Sequence, residues 1–290
     1  MAMLWENLRA DQFVPAIELS KGVCAMAVGC VEKHGLHLPL GCDVLHSSGV
    51  LELAAEKEPV CVFPKMYFGE KQGAGEFPGT IIFSSKLLFD ILTESCAEMG
   101  RNGFKKIVLV SGHGGNTAML NNFARSVLYK KNDYMVFVYS ASSAWPKVQD
   151  MLDIIDAGDR DYFPELTDED IATLRNYIKT NTVSGHGCLM ETAIMLGLHP
   201  ELVDLTKVND ESGASTHYMD RLTQAGYYTP FAWMANYPNS YSSDAHDGNN
   251  ERIGRSAVKY AVEKMAGALK ILKDDVSAEE YHARWLLKQK

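Results

Sequence analysis

Apolar residues along this chain follow two alternating rhythms. Residues 23–31 (VCAMAVGCV) form an almost unbroken apolar run, the pattern of a strand buried on both faces. Similar short runs at 60–63, 106–110 (KIVLV) and 134–139 (YMVFVY) predict three more strands. Between them the apolar spacing changes to that of helices. Residues 44–57 carry Val44, Val50, Leu51, Leu53 and Ala54; 84–100 carry Leu87, Leu88, Ile91, Leu92 and Cys96, with Gly100 or Gly103 as the stop; 117–131 carry Leu120, Phe123, Val127 and Leu128. This βαβα rhythm predicts an α/β fold with a mainly parallel sheet and helices on both faces, in which ligands bind beyond the carboxyl ends of the strands.

The second half is less regular. Thr167 and Asp170 have the spacing of a capping box, so a helix is predicted over 167–179. Residues 189–196 are short and apolar. Residues 207–249, rich in Gly, Tyr, Ser, Asn and Asp, read as long loops that cover a site or meet a neighbouring subunit. A final long helix is predicted over 249–273, with 278–288 as an extension. Neither a repeat nor a Pro/Ser-rich linker divides the chain, so residues 1–290 are expected to form a single domain.

Composition narrows the function classes. The net charge of −9, without a basic run, disfavours nucleic acid as a partner. No stretch approaches the ~20 apolar residues that span a bilayer, and the start MAMLWENLRADQF lacks the apolar core of a secretory signal. The six cysteines form no CxxC pair. They read as reduced thiols, and the expected compartment is the cytoplasm.

Three segments carry candidate chemistry. In residues 31–43, VEKHGLHLPLGCD, Glu32 and His34 lie two apart at a predicted strand end, so their side chains project together. Gly35 lets the chain turn, and Asp43 arrives near the start of the next helix. These are ligand types for Zn²⁺, Mn²⁺ or Fe²⁺, although a polar loop with Asp43 as a cap fits the same residues. The second segment, SGHGGN at 111–116, presents His113 among glycines directly after a strand. It lacks the Lys-Ser/Thr ending of a P-loop, while a plain turn or a glycine cradle remains open. The third, SGHGCLMET at 184–192, holds His186 between glycines and places Glu191 in an apolar stretch. A carboxylate buried there needs a metal, an ion-pair partner or a proton. Of the other histidines, His37 reads as a support for a ligand or a structural residue. His46, His199, His217 and His282 read as surface or packing residues, and His246, between Asp244 and Asp247, as part of a loop turn.

Taken in order, Glu32-Lys-His34-Gly-Leu-His37-Leu-Pro39, Asp43, Phe77-Pro-Gly-Thr80, Gly112-His113-Gly-Gly-Asn116 and His186-Gly-Cys-Leu-Met-Glu191-Thr192 resemble the creatininase (creatinine amidohydrolase) family over roughly residues 20–205. The resemblance implies a three-layer α/β/α fold, a homohexamer, and a centre of two divalent ions. Glu32, Asp43 and His113 would hold one ion. His34, Asp43 and a further Glu would hold the other, with Asp43 bridging. Creatininase itself carries that further Glu at the position of Gly115, so here Glu191 is the natural replacement and creatinine an unexpected substrate. Glu76 stands where the family commonly has His before Phe-Pro-Gly-Thr. Glu76 and Asn116 are the expected substrate-facing residues.

The expected activity is hydrolysis of a small polar, cyclic substrate by metal-activated water, favouring an amide C–N bond. His186 would donate a proton to the leaving group, and Glu191, where not a ligand, would act as base. Competing readings are ring-opening C–C hydrolysis of a diketo-inositol, deformylation of a formamide, a non-catalytic metal-binding homologue, and a metal-free thiol hydrolase that uses Cys42 or Cys188 with His186.

Overall fold

The computed structural model describes residues 2–71, 73–180, 185–242 and 248–288. Five parallel strands form its sheet: β1 (Met3–Leu4), β2 (Val23–Val28), β3 (Cys61–Val62), β4 (Lys106–Ser111) and β5 (Met135–Ser140), in the order β1-β3-β2-β4-β5. The four predicted strands are present. β1 is too short to leave a periodic signal. β2 pairs with β4 over its whole length, from Val23↔Lys106 to Val28↔Ser111.

Alternation along β2 and β4 builds the three layers. Val23, Ala25, Ala27, Val108 and Val110 point into one core, and Cys24, Met26, Val28, Ile107 and Leu109 into the other. The first core is closed by α2 (Cys42–Lys57), α5 (Val148–Asp156), α6 (Asp168–Thr180), α7 (Leu189–Leu198) and α10 (Glu251–Asp274). The second is closed by α1 (Phe13–Leu19), α3 (Ser85–Arg101) and α4 (Asn116–Ser126). The buried stripe of α3 is Leu88, Leu92, Cys96 and Met99, so Leu87, one residue off that stripe, faces solvent. Leu128 is also exposed, because α4 gives way to a 3₁₀ turn at Val127–Tyr129 that rotates it outward.

The capping box forms as predicted: Thr167 N donates to Asp170 Oδ2 at 2.9 Å and Asp170 N to Thr167 Oγ1 at 3.2 Å. The last helix is not extended as expected. It stops at Asp274, and a separate α11 (Ser277–Lys288) starts after Asp275, whose carboxylate accepts from Ala278 N. Buried Lys106 donates to Leu272 O and Asp275 O, placing a cation on the carbonyl end of α10. Residues 207–242 are mostly irregular, with two short helices, α8 (Asp220–Gln224) and α9 (Phe231–Asn236). Among the described residues no helix is long and apolar enough to cross a membrane.

Strand order reverses between β2 and β4: from β2 the chain moves through α2 to β3 on one side, and β4 then returns to the other side. The crevice beyond the carboxyl ends of β2 and β4 is the place where doubly wound sheets bind ligands. Three of the singled-out residues, Glu32, Asp43 and His113, follow from that crevice. Gly112 lets the end of β4 reach it, since a Cβ there would lie 2.1 Å from Asp43 O.

Candidate metal centre

The loop after β2 delivers Cys30, Glu32 and His34, with Gly35 turning the chain at φ +61° as expected. The first turn of α2 delivers Asp43 and His46, the loop after β4 delivers His113, and α7 delivers Glu191. Glu32, His34, Asp43 and His46 are 0–2% exposed, Glu191 6% and His113 9%, so charge here is dehydrated and must be compensated.

The donors face one another at coordination spacing. His113 Nδ1 lies 3.0 Å from both Glu32 Oε1 and Asp43 Oδ2. His34 Nε2 lies 3.0 Å from Asp43 Oδ1 and 3.8 Å from Glu191 Oε1. The other nitrogen of His34, Nδ1, sits 3.2 Å from Glu32 O. Donation from Nδ1 to that carbonyl turns the Nε2 lone pair inward, the arrangement of metal-ligating imidazoles. Gly187 N donates to Glu191 Oε2 at 2.6 Å, which leaves Oε1 for the cluster. Lys71 is buried and ion-pairs with Glu32 Oε2.

Burial alone would raise the carboxyl pKa values, but the imidazoles outweigh it. His34 and His113 hold Asp43 well below the carboxylate range, and His186 with His113 does the same for Glu32. Burial likewise opposes charge on the imidazoles, yet Asp43 above all lifts His34 to about 9 and His113 to about 10. Protonated imidazoles and Lys71 thus balance three carboxylates, a role divalent cations would take over. Four overlapping groups of donor atoms within 4.8 Å fit such cations: Cys30, Glu32, Asp43 and His113; Glu32, His34 and His186; His34, Cys42 and Glu191; Asp43, His46 and Glu191. Both ring nitrogens of His46 are buried without a hydrogen-bond partner, which argues that the cluster is incomplete without an ion.

The five ligand candidates, Glu32, His34, Asp43, His113 and Glu191, therefore converge. His186 joins them: its ring stacks on His34 with centroids 3.9 Å apart, Nε2 is 2.8 Å from Lys33 O, and Glu32 Oε2 is 3.8 Å away. Burial and the neighbouring His34 push its pKa below the usual value, so near neutrality it carries no charge and has room to accept a proton.

Three expectations are corrected. Asn116 does not face the cavity. Its amide donates to Val28 O (3.1 Å) and Gly29 O (3.2 Å) and accepts from Glu70 N (2.7 Å), tying the end of β2 to the 66–71 segment. Asn116→Ala strands these buried groups, so about 3 kcal/mol of stability is expected to be lost in thermal or urea unfolding. Glu76 sits on an exposed turn outside the cavity lining, and Lys71 from the same segment is the charged group that enters. His46, read as a surface or packing residue, is buried and packs on Trp145, but it also faces the cluster, with Nε2 3.6 Å from both Asp43 Oδ1 and Glu191 Oε1. Cys30, also unforeseen, donates to Asp43 Oδ2 at 2.9 Å. His199, His217 and His282 lie at or near the surface as read, and His246 falls outside the described residues.

His37 supports the centre from behind, with Nε2 3.1 Å from Gly187 O and from Thr192 Oγ1. Burial, aided by the charge of His34, lowers its pKa from 6.5 to about 4. The folded state therefore refuses a proton that the unfolded chain accepts. Stability from this residue is intact above pH 6.5 and drains away down to pH 4, by on the order of 3 kcal/mol. His37→Gln should remove that part of the acid sensitivity, as measured by unfolding of metal-free protein between pH 7.5 and 4.5.

The cluster opens into a cavity of about 1330 Å³. Its lining includes Gly112–Gly115, Trp145 and, from the 228–242 cover, Tyr228, Trp233 and Tyr237. Buried Lys33 holds that cover by donating to Glu211 and to Asn239 O, and Ser242 Oγ accepts from His186 N. All six cysteines are free and buried. Burial and Glu191 push the thiols of Cys42 and Cys188 up, away from the thiolate that a Cys–His hydrolase requires.

A protein-family profile, Creatininase: Creatinine amidohydrolase, matches residues 6–269. The creatinine amidohydrolase of Pseudomonas putida is 29% identical over 204 residues, covering 67% of this chain and 70% of that protein. The mycofactocin precursor peptide peptidase of Mycolicibacterium smegmatis is 31% identical over 115 residues, 37% of this chain and 45% of that protein. A solved structure described as creatininase Mn has the same fold, with a TM-score of 0.69, 23% identity, and coverage of 95% of this chain and 100% of that one. The profile spans every element that contributes to the cluster, so this chain, with its three-layer α/β sheet and convergent carboxylates and imidazoles, belongs to the creatininase family of metal-dependent hydrolases.

Proposed function

We propose that this protein hydrolyses an amide C–N bond of a small polar, cyclic substrate, using two divalent ions (Zn²⁺, Mn²⁺ or Fe²⁺) in a homo-oligomer, by resemblance a hexamer. The observation that carries this reading is the meeting of three buried carboxylates, Glu32, Asp43 and Glu191, with His34 and His113 at a sheet switch point that opens into a cavity. The two curated relatives are named for C–N hydrolysis, of creatinine and of a precursor peptide.

Glu32, Asp43 and His113 would hold one ion, and His34, Asp43 and Glu191 the other. Ions there supply Lewis acidity, polarising a carbonyl and acidifying water. The protein's own part is to hold the donors rigid and move protons. Glu191 is fixed by Gly187 N and serves as a ligand rather than a mobile base. His186 stays uncharged and anchored through Nε2, ready to take a proton and pass it to the departing nitrogen. The Lys71 ammonium stands beside Glu32 at the cavity wall, where it can meet negative charge developing on the substrate. Trp233, edge-on to His186 at 5.6 Å, limits water on that side.

One observation favours a second reading. Ser140, Ser142, Tyr228 and Tyr237 line the cavity with hydroxyls, which suits a polyhydroxylated ring and so the ring opening of a diketo-inositol. Purified protein assayed on cyclic amides, formamides and dehydro-inososes, before and after chelation, separates these. Turnover of a cyclic amide that chelator abolishes and metal restores is expected. Turnover confined to inososes selects the second reading, and activity indifferent to chelator overturns both.

A further inference from the structure

The centre holds more donors than the five ligands assigned above require, and one of them, His46, faces two carboxylates without a hydrogen bond to either. His46 lies three residues after Asp43 on α2, so both side chains leave the same helix face. Its imidazole is fully buried, and neither nitrogen has a hydrogen-bond partner. A histidine that only filled space would leave a ring N–H unpaired, at a cost of roughly 1–3 kcal/mol. The Trp145 indole packs edge-on against the ring, centroids 4.7 Å apart at 78°, so the orientation is held by packing.

We propose that His46 is a ligand in its own right, completing the second ion position as a ring of four donors: His34 Nε2, Asp43 Oδ1, His46 Nε2 and Glu191 Oε1. Consecutive members of this ring are 3.0, 3.6, 3.6 and 3.8 Å apart. Neighbouring ligands held 2.0–2.2 Å from one ion stand roughly 3–3.5 Å from each other, and the donor atoms of Asp43, His46 and Glu191 already lie within 4.8 Å of one another. The ring shares only the Asp43 carboxylate with the other position, where His113 Nδ1, Glu32 Oε1 and Asp43 Oδ2 meet.

The two positions are thereby unlike. One offers two imidazoles and two carboxylates. The other offers one imidazole and two carboxylates, with the Cys30 thiol alongside. Nitrogen-rich sets favour Zn²⁺, Fe²⁺ or Co²⁺, and oxygen-rich sets tolerate Mn²⁺ or Mg²⁺. His46 therefore makes the second position the tighter and more selective of the two.

This inference rests on the metal-centre reading, and the test keeps the two apart. Chelator-treated wild type, His46→Gln and His113→Ala are titrated with Co²⁺ and Zn²⁺. Metal per chain is measured by mass spectrometry, d–d absorption reports coordination, and circular dichroism checks folding. Wild type is expected to bind two ions. His46→Gln should weaken one of them by more than the roughly 10–100-fold that losing an outer-shell partner costs, with a changed Co²⁺ spectrum. Two ions in His46→Gln with unaltered affinity and spectrum overturn the role of His46 alone. Wild type that takes up no metal overturns the centre itself. X-ray absorption at the zinc edge of loaded wild type needs no variant to fold: three imidazoles shared by two ions support the proposal, and two imidazoles refute it.

Discussion

Replacing His113 by alanine should empty the first ion position and reduce turnover by more than ~10³-fold, exceeding the loss of a single oxyanion-hole donor. The reason is that His113 has two jobs. Its Nδ1 is 3.0 Å from Glu32 Oε1 and 3.0 Å from Asp43 Oδ2, so it is both a donor and the group that keeps these carboxylates ionised and apart. Without it, Glu32 retains Lys71 as a partner, while Asp43 retains only His34, Cys30 and the more distant His46. Metal content and kcat should fall together in the same preparation. A His113→Ala protein with full metal content and undiminished kcat would remove His113 from the centre.

The second large effect concerns Gly115, where the creatininase pattern carries a glutamate. Restoring that residue, Gly115→Glu, reads on paper as the gift of an extra ligand. The structure predicts the opposite. A Cβ at 115 would lie 2.4 Å from His113 Nε2 and 2.9 Å from Glu70 O, so the His113 ring or the loop must move. Displacing Nδ1 from its two carboxylates by even ~1 Å is enough to cost on the order of 10²-fold in rate. Gly115→Ala, with no carboxylate to contribute, should share most of that loss. If Gly115→Glu instead bound metal more tightly and kept its rate, Glu191 would not be the replacement ligand inferred here.

Much of this architecture can be read from residue order, because the features concerned are local. Residues 23–31 and 106–110 are apolar on both faces, as central parallel strands must be, and the carboxylates and histidines follow directly after them. The errors share a cause. Asn116 stands in the right motif, but the direction of its amide depends on the carbonyls of Val28 and Gly29, far away in sequence. Glu76 and Lys71 lie in one irregular segment, and only tertiary packing decides which of them turns inward. The grip of Lys33 on Glu211 and Asn239 spans more than 170 residues, so the cover over 207–242 appears in the sequence only as a polar stretch without period.

His46 is different, since a signal for it exists. Asp43 is already expected at the start of a helix, and a histidine three residues later must share its face. Judging histidines by adjacent glycines and carboxylates overlooks that helical neighbour. Cys30 is similar: two residues before Glu32 on an extended chain, it points the same way.

The central claim is that these buried carboxylates and imidazoles exist to hold cations. Anomalous diffraction collected at the metal absorption edges, from crystals grown with divalent metal, tests it most directly. The account predicts anomalous density within coordination distance of Asp43, flanked by Glu32 and His113 on one side and by His34 and Glu191 on the other. Loaded crystals with no anomalous peak near Asp43, and with His34 and His113 still bonded to the carboxylates alone, would contradict it.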